Sequence, residues 1–393
     1  MKPNYFDNCK TTQPYPEVID AMLPYFVDKF QYPENFIEAG SRAEEEIGNF
    51  RQIVARSIGG KSDEIHFTTG GTSANNLAIK GFLMKHSSKG RHIICSVADY
   101  PDILTNAAFF ENSGFDVTYL SVDSDGFIDL EELKRSIRND TILFMTTYVN
   151  HTVGTIQPLK KIRAILDEAD DQIAMFVDAG QAYGKLPIDV NELGIDLMSV
   201  SAHKIHGPQG IGALYQRNGI SIAPTKHGIA RVDNLETGGL SIALIAGFAK
   251  AVELTFASFE KDTKHLRSLS DYCLKTIEER IPHIIVNGPR GKWRAPHNMN
   301  VSFKFIEGEA ILLMLDLQGI TAATGSACAS QGLRPNYILM AMGRTHEESH
   351  GSMKFTFSKF NTIEEIDKAV DKLAEIVAEL RSRSPLYKNR ERS

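Results

Sequence analysis

The chain has 393 residues, 42% of them hydrophobic and 23% charged, with a net charge of -6; single cores stop growing near roughly 250–300 residues, so two domains are expected. The acidic balance gives no basic face for nucleic acid, no apolar run reaches the ~20 residues of a membrane span, and the start M-K-P-N-Y-F-D-N lacks a signal peptide's apolar core. A cytoplasmic protein acting on a small molecule is the expectation.

Val18, Ile19, Met22, Leu23 and Phe26 recur at helical spacing and predict a helix over 16–28, followed by a second over 41–58. A strand at 64–67 runs into Thr68-Thr69-Gly70-Gly71-Thr72-Ser73-Ala74-Asn75-Asn76, and a helix continues from this turn to about Met84. A Gly-Gly-Thr-Ser turn opening a helix offers free N–H groups and hydroxyls to an anion, although Thr72 or Ser73 would serve equally as an ordinary N-cap. Strands at 91–96, 116–120 and 141–147 then alternate with helices at 101–112, 130–137 and 158–169. This rhythm calls for a mainly parallel sheet with helices on both faces.

The next strand, Ile173-Ala174-Met175-Phe176-Val177, is wholly apolar and delivers Asp178 at its carboxyl end, where ligands bind in open α/β sheets. A further apolar run, 195–200, leads into Ser201-Ala202-His203-Lys204-Ile205-His206-Gly207-Pro208. A lysine set between a buried strand, two histidines and a Gly-Pro turn is poorly solvated. Its amine sheds a proton more readily than the usual lysine and can condense with an aldehyde. Alone, Lys204 reads equally well as a polar-loop lysine. With Asp178 it matches what pyridoxal phosphate needs, a carboxylate for the ring nitrogen and a lysine for the aldehyde.

Beyond Lys204 come a strand at 212–215, a glycine-containing loop at 227–239 and a long helical region at 240–281. A second domain would hold strands around 300–305 and 353–357 with helices at 308–317, 335–342 and 362–380, before a charged tail, 382–393, expected to fray. The four cysteines, Cys9, Cys95, Cys273 and Cys328, have no spacing that suggests zinc or disulfides. Cys95 and Cys273 read as buried packing residues, whereas Cys328 sits among small residues in Thr324-Gly325-Ser326-Ala327-Cys328-Ala329-Ser330.

Phe176-Val177-Asp178-Ala179-Gly180-Gln181, the stretch 201–208 and the Cys328 motif resemble those of the cysteine desulfurases, fold-type I pyridoxal-phosphate enzymes of the class V aminotransferase group. The likeness runs from Tyr5 to Thr362. It implies an α/β fold with a large domain over 15–255, built on a mainly parallel seven-stranded sheet, and a smaller α+β domain from 1–14 and 256–393. It further implies a homodimer and a sulfur-acceptor or iron-sulfur scaffold protein as partner. Gly71, Thr72, Ser201 and His203 would hold the cofactor phosphate, Tyr100 would cover the ring where the family has histidine, and Gln181 would bond the phenolic oxygen. His151 falls where the family usually has asparagine and is a candidate for the proton handling that Tyr100 performs poorly.

The chain departs from the family mainly where substrate is read. Lys354, in Lys354-Phe355-Thr356-Phe357-Ser358, replaces the arginine that grips the amino-acid carboxylate, and a lysine lacks its two-pronged geometry. Tyr32 stands for an asparagine, Glu236 for an arginine, and Gly239 for a threonine that reaches the neighbouring subunit's phosphate. The leading expectation is a desulfurase that takes sulfur from L-cysteine as a persulfide on Cys328, with Lys204 as amine and base. A lyase or other class V reaction on a different sulfur or selenium amino acid is an alternative. A sulfur-carrier subunit without turnover is another, and an intact Lys204 argues against it.

Overall fold

The computed structural model describes residues 4–30, 33, 38–170, 172–228, 235, 239, 241–324 and 335–390. Cys328, Tyr32 and Glu236 lie outside the described residues, as does most of the predicted 227–239 loop.

The strands in chain order are β1 (Asn4–Tyr5), β2 (Ile65–Thr68), β3 (His92–Ser96), β4 (Asp116–Leu120), β5 (Thr141–Thr147), β6 (Ala174–Asp178), β7 (Leu197–Ser201) and β8 (Gly212–Gln216), then β9 (Ile284–Val286), β10 (Asn298–Phe303), β11 (Ile320–Thr321), β12 (Ala323–Thr324) and β13 (Ser352–Thr356). β2 to β8 form the seven-stranded sheet in the order β2-β8-β7-β6-β5-β3-β4. Only β8 runs against the rest. β5, β6 and β7 are buried along their whole length, as a sheet covered on both faces requires. One apolar core, including Ile94, Phe144, Met175 and Val177, packs on one face; the other, including Ile93, Leu143, Met145 and Phe176, packs on the opposite face. The alternation of neighbours along each strand produces this division.

A separate core surrounds the four-stranded antiparallel sheet β12-β13-β10-β9 and is closed by the helices Phe259–Arg280, Gly308–Leu317 and Ile363–Arg383. The N-terminal strand joins this part of the molecule through β1, which pairs with β11. Asn8 Nδ2 donates to the Thr356 carbonyl at 2.8 Å, and the Cys9 amide donates to Thr356 Oγ1 at 2.8 Å. These bonds carry residues 7–12 from β13 to the end of the larger sheet. Cys95 and Cys273 are buried in apolar surroundings, as the sequence predicts.

Two predicted helices and the tail differ from expectation. The first breaks at Pro24 into Pro16–Met22 and Pro24–Val27, because proline cannot donate the next helical bond. The long helical region bends by 76° at Ser258, giving Ile242–Ala257 and Phe259–Arg280. There Ser258 Oγ donates to Asp262 at 2.6 Å, and Lys359, distant in the chain, bonds the same carboxylate at 2.9 Å, so side chains brought together by the fold favour a break. The tail is not frayed through 390: residues Pro385–Arg390 form a helix. Its Tyr387 ring packs on Phe305 and on the guanidinium of Arg381, whose nitrogens bond the Lys304, Pro282 and His283 carbonyls.

Candidate active site

A cavity of about 800 Å³ opens at the carboxyl ends of β5, β6 and β7, beside the first turn of the helix Gly71–His86. Parallel register brings its groups together. Thr147 pairs with Asp178, Asp178 with Ser199, and Ser201 with Gly212, which in turn pairs with Thr68. A Cβ on Gly212 would lie 2.5 Å from the Val200 carbonyl oxygen and 2.9 Å from the Gly70 carbonyl carbon. Glycine there lets the turn at 70–71 close onto Ser201, and Gly71 leaves no room either: its Cβ would meet Ser201 Oγ at 2.4 Å. Gly70, at φ 139°, adopts a backbone conformation open to glycine.

Gly71, Thr72, Tyr100, Asp178, Gln181, Ser201, His203 and Lys204 all line this cavity. His151 and Lys354 stand outside its walls. The His151 ring meets Tyr100 edge to face at 4.9 Å, and Lys354 Nζ donates to Cys9 Sγ and to the His151 carbonyl, each at 3.3 Å. Cys328 falls outside the described residues.

Lys204 projects from the short turn Ala202–Lys204 after β7, and its Nζ donates to the Cys9 carbonyl at 2.6 Å and the Lys10 carbonyl at 2.8 Å. Burial lowers its pKa from the usual lysine value, helped by the nearby charges of Lys354 and Lys10. Asp178 accepts from the Gly180 amide and from Asn75 Nδ2, both at 2.9 Å. Burial raises its pKa despite those two bonds. Burial and the charges of Lys204 and Lys185 push His203 down to about 4, so it is neutral at pH 7.

His151 is pushed down to about 3 by burial and by Lys354 and Lys204. An imidazole of that basicity is neutral near pH 7. Tyr100 is raised to about 12 by burial and the carboxylates of Asp102 and Asp178, so its phenol stays protonated.

Sequence reasoning missed three contributors. Asn75 orients Asp178 and also donates to Asp102 at 3.0 Å; its polarity amid Ala74, Leu77 and Ala78 was the available clue. Cys9 contributes a backbone carbonyl that accepts from both Lys204 and Gln181, a role any residue type could fill. Lys185 is buried under the site, and its Nζ donates to the Lys204 carbonyl at 2.8 Å. Burial and the Lys204 charge lower it to about 7. Nothing in its local sequence marks it as buried.

Comparison with known proteins adds three findings. Residues 4–369 match the family model for aminotransferase class-V. Cysteine desulfurase IscS of Dictyoglomus turgidum is 42% identical over 97% of this chain and 96% of its own, and that of Methanosarcina thermophila is 42% identical over 97% and 94%. Among solved structures, a NifS-like protein superimposes with a TM-score of 0.90 at 30% identity, covering 96% of this chain and 100% of that one. SspA in complex with cysteine gives 0.80 at 30% identity over 91% and 100%.

Proposed function

The chain belongs to the class V aminotransferase family, and from that premise we propose that it is a pyridoxal-phosphate-dependent cysteine desulfurase, converting L-cysteine to alanine and enzyme-bound sulfur. The observation that carries the proposal is the arrival of Lys204 and Asp178, from successive strand ends, on the walls of one cavity.

The residues suit the cofactor. The glycine turn at 70–71 and the hydroxyls of Thr72 and Ser201 form a donor-rich recess of the kind that holds a phosphate. Gly71, Thr72, Ser201 and His203 would hold that phosphate, Tyr100 would cover the ring, and Gln181 would hold the phenolic oxygen. Asp178 would face the ring nitrogen. When bound, pyridoxal phosphate supplies an aldehyde for amines and a ring that withdraws electrons from the substrate carbon.

The protein's own groups perform the rest. With its pKa lowered by burial, Lys204 reaches the neutral amine form more readily than an exposed lysine, and the Cys9 and Lys10 carbonyls hold that amine in place. Once released from those carbonyls, the amine is a base able to take the substrate's alpha proton. Asn75 and the Gly180 amide fix Asp178, whose negative charge favours a protonated ring nitrogen. Lys354 would attract the substrate carboxylate, and Cys328 would take the sulfur as a persulfide when the carbon portion leaves as alanine.

The proposal extends to a homodimer in the cytoplasm that passes sulfur to an acceptor protein. The exposed apolar side chains of Leu23, Phe26, Val27 and Phe30 support a protein contact at the N-terminal helices. The direct test supplies cysteine, pyridoxal phosphate and a reducing thiol. The wild type is expected to release alanine and sulfide, and Cys328→Ala to release neither at a comparable rate. A wild type that forms no alanine contradicts the assignment.

A further inference from the structure

A phosphate monoester carries a charge of about -1.5 to -2 at pH 7. Among the described residues, the recess proposed for it supplies little to balance that charge. The N-terminus of the helix Gly71–His86 is worth roughly half a positive charge, and burial together with the charges of Lys204 and Lys185 lowers the His203 pKa before any anion is bound, so its imidazole starts as a weak source of positive charge. Thr72, Ser73 and Ser201 contribute hydroxyls without charge, and the cavity also contains Asp102. Lys204 is committed to the aldehyde. A dianion placed here needs another cation, because dipoles alone leave it under-compensated in a partly dry site.

Among the described residues two further lysines line the cavity, Lys10 and Lys226. They are placed differently. Lys10 belongs to the N-terminal crossing, where its charge acts on Asp7 together with Lys354 and Lys204. Lys226 Nζ donates to Ser73 Oγ at 3.3 Å, in the first turn of the helix whose N-terminus faces the recess. Gln181 and Asn75, each more than nine-tenths buried with an unpartnered amide oxygen, line the same cavity, but as acceptors they offer a phosphate no bond and no charge.

Resting on the cofactor reading above, we propose that Lys226 is a phosphate-positioning residue: it provides, from the same chain, the countercharge for the 5'-phosphate, bridging through or beside Ser73. Lys10, whose charge acts on Asp7 in the N-terminal crossing, contributes less to phosphate binding. The reach of a lysine from the loop onto the helix turn gives the point charge a place beside the backbone N–H donors, a combination suited to phosphate.

The test compares pyridoxal phosphate with pyridoxal, which has the same ring and aldehyde but no phosphate. Binding is followed by absorbance and by fluorescence quenching at low and high salt. For Lys226→Met, affinity for pyridoxal phosphate is expected to fall about 10-fold or more, with pyridoxal affinity unchanged. Lys226→Arg should recover most of the loss, Lys10→Met should lose less, and added salt should narrow the gap between wild type and Lys226→Met. Equal weakening toward both ligands, or no weakening toward pyridoxal phosphate, would overturn the proposal. A wild type that binds neither ligand would instead overturn the cofactor reading beneath it.

Discussion

The wall that would carry the cofactor and the wall that would read the substrate are built from different kinds of chain. The cofactor wall is the rim of the seven-stranded sheet, where register fixes Thr147, Asp178 and Ser201 relative to one another and glycines admit the turn at 70–71. The other wall comes from the N-terminal crossing, with β13 behind it and outside the cavity, and is held by backbone carbonyls: Cys9 accepts from Lys204 and Gln181, and His151 from Lys354. Side chains placed by strand register leave a motif in the sequence. Carbonyl oxygens do not, because every residue carries one.

This contrast predicts that substitutions on the sheet rim act on chemistry and those on the crossing act on substrate capture. The largest effect is expected for Lys204→Ala, which removes the base and should lower alanine release about 1,000-fold or more in a steady-state assay. Asp178→Asn keeps the size and removes the charge, and should cost about 100-fold in kcat. A loss of that size confined to KM would place Asp178 on the wrong side of the comparison.

Next comes a pH effect on stability from Lys185, beneath both walls. Its folded pKa of about 7 lies below the ordinary lysine value, so between those two pH values the unfolded chain binds the extra proton. Stability therefore rises with pH above about 7, and the full cost of the buried charge is present below it. Urea unfolding without cofactor should show wild type gaining on Lys185→Met by on the order of 2 kcal/mol between pH 7 and pH 9. A difference independent of pH would mean that Lys185 is not a desolvated amine. The smallest effect belongs to β13, behind the crossing: Lys354→Met should raise KM for cysteine about 10-fold with little change in kcat. A fall in kcat at constant KM would move Lys354 to the chemical side.

Much of the sheet rim was legible in the sequence. The apolar run ending at Asp178 and the loop from Ser201 to Pro208 mark strand ends, and their residues meet at the cavity. Asn75 was less visible, since a helical asparagine more often faces water than a carboxylate. The weak basicity of His151 was not legible, because sequence shows residue type and hides the burial that lowers its pKa. The bend at Ser258 depends on Lys359, a hundred residues away in the chain, so no local pattern announces it.

The central claim is a covalent partnership between Lys204 and the cofactor aldehyde. Protein loaded with pyridoxal phosphate, reduced with borohydride, digested and read by peptide mass spectrometry tests it most directly. The account predicts a reduced cofactor label on Lys204 and its absence from Lys185, Lys226 and Lys354; a label on any of those three, or no label on a protein that has taken up the cofactor, would contradict it.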